Sequence, residues 1–305
     1  MHCWERDDAV PGRPEMTAFR RRVRLHQARW RESKGHPIGS QPIVPRKRKP
    51  SRLVGSRLPL EYARQTGANF VTAAAFDTAR ARTSVAEPRQ SFDHQRLWAD
   101  LLWSPTLAFN LFGELAADRA LADRAVHSWW PDTPGMVCDV RFAHSPGRLD
   151  TAYTGSLVDF DAAFVLEFGD GTQGIVGVAA RYHERSKRAL PKPARLPRYV
   201  EITEQAGVFE SKAVDALAGT DLLVLWLGHL LVLSMLQHPD DAWKWGRFVV
   251  VHPAGNTDFA DQCARYERLL TVRATFASST VEELLDGGAL SKPTIGALRD
   301  RYCVG

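Results

Sequence analysis

Residues 158–184 read VDFDAAFVLEFGDGTQGIVGVAARYHE, and this stretch decides the fold. Residues 159–168 are rich in β-branched and aromatic types, and Gly169-Asp170-Gly171 is a tight-turn signal. Residues 174–182 then resume the extended pattern, so the stretch predicts a β-hairpin. Side chains alternate along a strand. Asp159, Asp161, Ala163, Val165 and Glu167 are therefore expected on one face of the first strand. On the second, Ala179, Arg181 and His183 share a face, with Val178, Ala180, Tyr182 and Glu184 opposite.

Outward from the hairpin, the upstream chain is mostly helical in pattern. Helices are expected over 17–33 with Thr17 as N-cap, 59–65, 69–82, 92–102, 106–119 and 121–130. Short extended pieces follow at 136–143 and 151–156. Downstream, 185–198 is a basic, proline-rich loop. Residues 221–237 form a strong helix with Leu222, Leu225, Trp226, His229, Leu230 and Leu233 on one face. Residues 247–253 read as a buried parallel strand, 258–270 as a helix and 274–277 as a last strand. Thr280-Val281-Glu282-Glu283 is a capping box opening a helix through Leu285, and 299–305 form a tail. Helices followed by a mixed run of strands and helices indicate an α/β fold.

Composition narrows the function classes. The 305 residues, 44% hydrophobic and 25% charged, are those of a globular protein large enough for one or two domains. Four widely spaced cysteines without a Cys-x-x-Cys pair argue against a zinc cluster or a disulfide framework, and fit a reducing cytosol. The longest apolar run, 222–236, is broken by Gly228 and His229 and is too short to span a bilayer. With no apolar core behind the first charges, the chain is expected in the cytoplasm, away from membranes. No phosphate-binding loop, nucleophile elbow or His-x-x-x-His pair is present.

The net charge of +5 is unevenly spread. Residues 1–58 carry fifteen Lys and Arg against five acids, a surplus of ten, which leaves the rest at −5. Within this arm, prolines and glycines surround Arg46-Lys47-Arg48-Lys49. Such a segment either contacts nucleic-acid phosphates or is a solvated terminus. Residues 1–52 are read as a basic, partly flexible extension and 53–305 as the main domain.

The hairpin and its flanks resemble the PD-(D/E)XK nuclease superfamily, also called restriction-endonuclease-like. Asp161-Ala162 matches the phrase that opens the first catalytic strand. Val176-Gly177-Val178-Ala179-Ala180-Arg181-Tyr182-His183-Glu184 matches the frame "Ile-Gly-Ile-Glu-x-Lys-Tyr-x-Glu" of the second. Similar phrases recur in order at 52–56, 67–70, 107–115, 253–256 and 275–285, so the likeness covers roughly 50–288. On the 221–237 helix, Trp226 and His229 match a "Gln-x-Trp-Arg-x-His" phrase, while Val224 and Leu227 stand at its glutamine and arginine positions.

The resemblance implies a mixed central sheet flanked by helices, with carboxylates that hold Mg²⁺ against a scissile phosphate. Asp161 is the metal ligand it implies. Ala179 stands at the second acid position and Arg181 at the lysine position. Alanine offers no oxygen, and a permanently protonated guanidinium replaces an ammonium poorly. His183 either helps to rescue catalysis or is a packed residue. Glu114 either joins the site from its helix or is an exposed glutamate near Arg119. The expectation is a nuclease-superfamily protein with a degraded metal site, kept for binding nucleic acid, with DNA the expected form, or for service as a partner subunit. The alternatives are an active Mg²⁺-dependent endonuclease with a relocated acid and a structural subunit, with a protein partner or homo-oligomer, that never meets nucleic acid.

Overall fold

The computed structural model describes residues 18–41, 52–184 and 186–304. The run Arg46 to Lys49, and Thr17 as a cap, lie outside the described residues. The helices are α1 (Ala18–Ser33), α2 (Leu60–Thr66), α3 (Ala73–Ser84), α4 (His94–Ala99), α5 (Ser104–Phe112) and α6 (Arg119–Trp129). They continue with α7 (Leu196–Ala206), α8 (Ala213–Leu217), α9 (Leu223–Leu236), α10 (Thr257–Glu267), α11 (Val281–Asp286) and α12 (Lys292–Tyr302). A two-stranded ribbon pairs β1 (Gly39–Ser40) with β2 (Leu53–Val54). The main sheet holds β3 (Met136–His144), β4 (Phe160–Glu167), β5 (Gln173–Ala180), β6 (Trp243–His252) and β7 (Phe276–Thr280) in that spatial order.

The hairpin sits at the centre of this sheet. β3, β4 and β5 run antiparallel, and β5, β6 and β7 are parallel. The turn closes with Phe168 N–H donating to Thr172 O at 3.0 Å, and Asp170 Oδ1 accepts from the Thr172 hydroxyl at 2.6 Å. Parallel strands need crossovers, and these are supplied by α7–α9 between β5 and β6 and by α10 between β6 and β7. Helices cover both faces, which is why the Phe248–Val251 run can be apolar on both sides.

Strand alternation sorts the core into two layers. Ala162, Phe164, Val176, Val178, Ala180 and Tyr182 pack on the face that includes α5 and α6. Ala163, Val165, Ile175, Ala179 and Val250 pack on the face that includes α9. Helix α9 is apolar almost all round and correspondingly buried. Its Gly228 permits the close approach to β6, since a Cβ there would stand 2.2 Å from Phe248 Cζ. Gly228→Ala is expected to destabilise by about 1–2 kcal/mol in urea denaturation, the overpacking exceeding the ~1 kcal/mol gain in helix propensity. An unchanged midpoint would show that α9 lies farther from the sheet.

Three expectations differ from the structure. Residues 151–156 form turns instead of an extended piece, because Asp150 O accepts from Gly155 N–H at 2.8 Å and Leu149 N–H donates to Ser156 O at 2.7 Å. The helix expected over 106–119 ends at Phe112, and Asp118 starts α6 by accepting from Leu121 N–H at 2.9 Å. Residues 292–302, partly read as tail, form α12 behind the Ser291 N-cap. Helix α1 also takes a central place. Phe19, Val23 and Trp30 lie in the same buried cluster as β4 and β5, a core shared across the boundary expected after residue 52.

Candidate functional site

Ala162 pairs with Val178 and Ala163 with Gly177, which brings Asp161 level with Ala179 on the α9-side face. Ala179 in turn pairs with Val250 of β6 and is 4% exposed. Arg181 follows β5, anchored by its N–H to Val251 O at 2.8 Å. Its Nη1 donates to Asp161 Oδ2 at 2.8 Å, and the same oxygen accepts from Ala180 N–H at 2.9 Å. Nη1 also donates to Ala180 O at 2.6 Å, so the guanidinium is clamped between a carboxylate and a strand carbonyl.

The Asp161 side chain is 13% exposed. Burial is the largest influence on its carboxyl and Asp159 reinforces it. Arg181 and the Ala180 N–H oppose them, and the balance pushes the pKa up to about 6 from 3.8. The folded state thus holds this proton more tightly than the unfolded chain. The stability it contributes is present at low pH and falls as pH rises from about 4 through about 6. Arg181→Met removes the main lowering influence and is expected to move the midpoint above 6 in a ¹³C carboxyl titration. A midpoint near 4 in both proteins would mean that Asp161 is hydrated rather than packed.

The chain leaves the sheet immediately after Arg181. Tyr182 N–H donates to Ser104 Oγ at 2.8 Å, and Ser104 Oγ donates to Glu184 Oε2. Asn256 Nδ2 holds Glu184 O at 3.1 Å. The bend removes His183 from the Arg181 face where strand alternation had placed it. Its ring is 8% exposed, lies 3.6 Å from Glu184 Oε2 and makes no bond to Asp161. Burial lowers the His183 pKa. Burial alone would raise Glu184, but His183, Ser104 and Arg181 outweigh it and hold the carboxyl below its ordinary value.

Glu114 is likewise elsewhere. Its Oε1 accepts from Ser291 N–H at 3.3 Å and its Oε2 from Thr294 Oγ1 at 2.7 Å, so the carboxylate secures the start of α12. A glutamate just past the end of α5 reaches the helix start brought beside it, and that start is 177 residues away in sequence. Trp226 and His229 are also interior struts. Trp226 Nε1 donates to Thr203 Oγ1 at 3.0 Å, and His229 spans Tyr266 Oη at 3.0 Å and Thr275 Oγ1 at 2.9 Å. Burial pushes the His229 pKa down to about 3, so the imidazole is neutral.

A second charged group stands beside Asp161 that sequence reasoning missed. Arg148, whose side chain is 3% exposed, donates to Asp159 Oδ2 at 3.0 Å and to Glu87 Oε2 at 2.5 Å. Glu87 Oε1 lies 2.8 Å from His144 Nδ1. Burial acts to raise Glu87, yet His144, Arg148 and Ser145 N–H bring it down to about 2. Arg148 and Arg181 both act on Asp159, which links the two groups electrostatically. Only the spatial return of residue 87 to residues 144–148 creates this network, so no local motif could announce it.

This placement of an aspartate on one central strand, facing the alanine and arginine of the next, is where comparison with known families decides. The model of the PD-(D/E)XK nuclease superfamily matches residues 14–304, nearly the whole chain. The chain belongs to the PD-(D/E)XK nuclease superfamily. The five-stranded mixed sheet with flanking helices fits the restriction-endonuclease-like fold of that superfamily. No curated protein and no solved structure matches the chain significantly.

PD-(D/E)XK nucleases commonly use Mg²⁺. The residues of this chain do not fit that ion. Hard divalent cations take oxygen ligands, but Ala179 has none and Asp161 Oδ2 is engaged by Arg181 and Ala180 N–H. Among the described residues, no group of three or more His, Cys, Asp or Glu is placed to hold a metal ion. No helix among them is long and apolar enough to cross a membrane.

Proposed function

We propose that this chain is a PD-(D/E)XK protein that binds nucleic acid, with DNA the expected form, without cutting it. The observation that carries the reading is the Arg181 Nη1 to Asp161 Oδ2 bond of 2.8 Å. The guanidinium supplies, from within the chain, the positive charge that a cation brings to an intact site. Breaking such a pair by inserting a metal would require displacing a clamped side chain and supplying ligands that Ala179 lacks. The scaffold keeps its sheet and crossovers, while the chemistry at the centre is replaced by an ion pair. Superfamily membership and the surplus of ten positive charges over residues 1–58 support a nucleic-acid partner.

The test is a binding titration at several salt concentrations. Changing Arg46, Lys47, Arg48 and Lys49 to alanine is expected to weaken DNA binding and to flatten its salt dependence. The log–log slope should fall by roughly 0.9 for each phosphate that these side chains no longer neutralise. An unchanged slope would mean that the run is only solvated. Failure of the unaltered chain to bind DNA or RNA at low salt would overturn the reading.

A further inference from the structure

The chain that leaves β5 carries a basic segment of its own, separate from residues 1–58. Residues 186–198 hold Lys187, Arg188, Lys192, Arg195 and Arg198 and no acid. The segment begins five residues after Arg181, at Ser186, which Gln262 of α10 fastens by two bonds. Gln262 Oε1 accepts from Ser186 N–H at 3.2 Å, and Gln262 Nε2 donates to Ser186 O at 3.1 Å. Ala189 N–H then reaches Thr220 O at 3.4 Å, and Arg195 N–H closes a turn on Lys192 O at 2.9 Å. Pro191, Pro193 and Pro197 restrict the backbone between these anchors. A half-open groove of about 630 Å³ runs beside the first part of the loop, lined by Ser186, Lys187, Arg188, Thr220, Asp221 and Arg265 among others.

The cations of this loop differ from those around it. Arg198 pairs with Glu201 at 2.9 Å, and Arg265 with Asp221 at 2.5 Å. Among the described residues, Lys187, Arg188, Lys192 and Arg195 have no carboxylate partner. Lys187, Arg188 and Lys192 are exposed and Arg195 is half-buried. They stand as two close pairs, adjacent in sequence for Lys187 and Arg188 and one turn apart for Lys192 and Arg195. Like charges within a Debye length of about 10 Å repel, and a polyanion laid along them relieves that repulsion. A loop that only linked β5 to α7 would need none of the four.

We propose that residues 187–195 are a phosphate-contacting surface for the nucleic-acid backbone, at the rim of the Asp161–Arg181 centre. The inference rests on nucleic-acid binding by the chain and says where the strand lies. Lysine and arginine displace counterions from phosphates, and a loop held by prolines and anchored bonds loses little freedom on binding. The half-open groove lets a chain pass along it. Leu190 is 86% exposed, but one apolar side chain offers too little area to seat the loop in a bilayer.

The experiment titrates a fluorescein-labelled DNA duplex by anisotropy at several salt concentrations from about 50 to 200 mM. Lys187, Arg188, Lys192 and Arg195 are changed together to glutamine, with the rest of the full chain intact, so the slope reports this loop and not the arm. A control set changes Arg64, Arg80, Lys244 and Arg299 to glutamine. It removes the same charge from α2, α3, β6 and α12, where each cation already has an acid beside it. The loop variant is expected to bind roughly ten-fold or more weakly, with a log–log slope lower by about 0.9 for each phosphate released and melting unchanged. The control set should leave the slope as it is. Binding by the unaltered chain with the same slope in the loop variant, or an equal fall in the control set, would overturn this inference and leave nucleic-acid binding standing. No binding by the unaltered chain would remove both. Phosphatidylserine vesicles are titrated in parallel, and binding to them that the loop variant loses, with the DNA slope unchanged, would overturn the inference in favour of a membrane surface.

Discussion

Ala179→Glu combined with Arg181→Lys is expected to give Mg²⁺-dependent nicking of plasmid DNA at least ~10³-fold above the unaltered chain. Both changes are needed, for separate reasons. Asp161 and residue 179 lie level on adjacent strands and face the same side of the sheet, so a glutamate there adds the second carboxylate. With Arg181 in place, that carboxylate would meet a guanidinium already bonded to Asp161, and Ala179→Glu alone is expected to bind no Mg²⁺. Arg181→Lys alone frees Asp161 from the forked clamp but leaves one acid facing the cation. Metal binding by the double variant can be read by calorimetry independently of cleavage. Absence of both would show that the sheet does not present these positions as a superfamily site does.

The largest expected effect on stability lies at Arg301. Its guanidinium is fully buried, donating to Asn69 O at 2.6 Å and Asn69 Oδ1 at 2.5 Å. It stands 4.5 Å from the Trp30 ring centroid and 4.9 Å from that of Tyr302. Gln27 Nε2 holds the Arg301 carbonyl at 2.6 Å and Tyr182 Oη at 2.7 Å, so α1, α12 and the end of β5 meet here. Burial lowers the Arg301 pKa, with the neighbouring tyrosines opposing. Its charge is held by carbonyl dipoles and aromatic faces. Arg301→Ala opens a cavity, takes the Arg301 donor from Asn69 Oδ1 and leaves Asn69 O with Asn110 Nδ2 alone, so a loss of about 3–5 kcal/mol is expected in urea denaturation. Arg301→Met should recover part of it by filling the space without burying a charge. A loss below about 1 kcal/mol would mean that α12 is not docked on α1.

That helix also shows where sequence reading stops. The buried face of α12 carries Thr294, Leu298, Arg301 and Tyr302. Their spacing is helical, but two of the four are not apolar, and Pro293 and Gly296 look like breakers. By contrast, the β4–β5 hairpin, the β6 run and the Thr280 capping box have local signals, and each stands in the structure where expected. Strand alternation places Asp161 and Arg181 each on a face of its own strand, and the register of β4 on β5 brings them together. His183, Glu114 and the Glu87–Arg148 group depend on partners 57 to 180 residues distant or on where β5 ends. Ser104 ends the ladder by capturing Tyr182 N–H, and no pattern within 174–184 encodes that.

The most direct measurement is a single incubation of the unaltered chain with supercoiled plasmid at low salt and millimolar Mg²⁺, resolved on a gel with and without protein denaturation. The expected result is plasmid retarded by bound protein and still supercoiled once the protein is removed. Mg²⁺-dependent nicking that disappears in Asp161→Ala would contradict it.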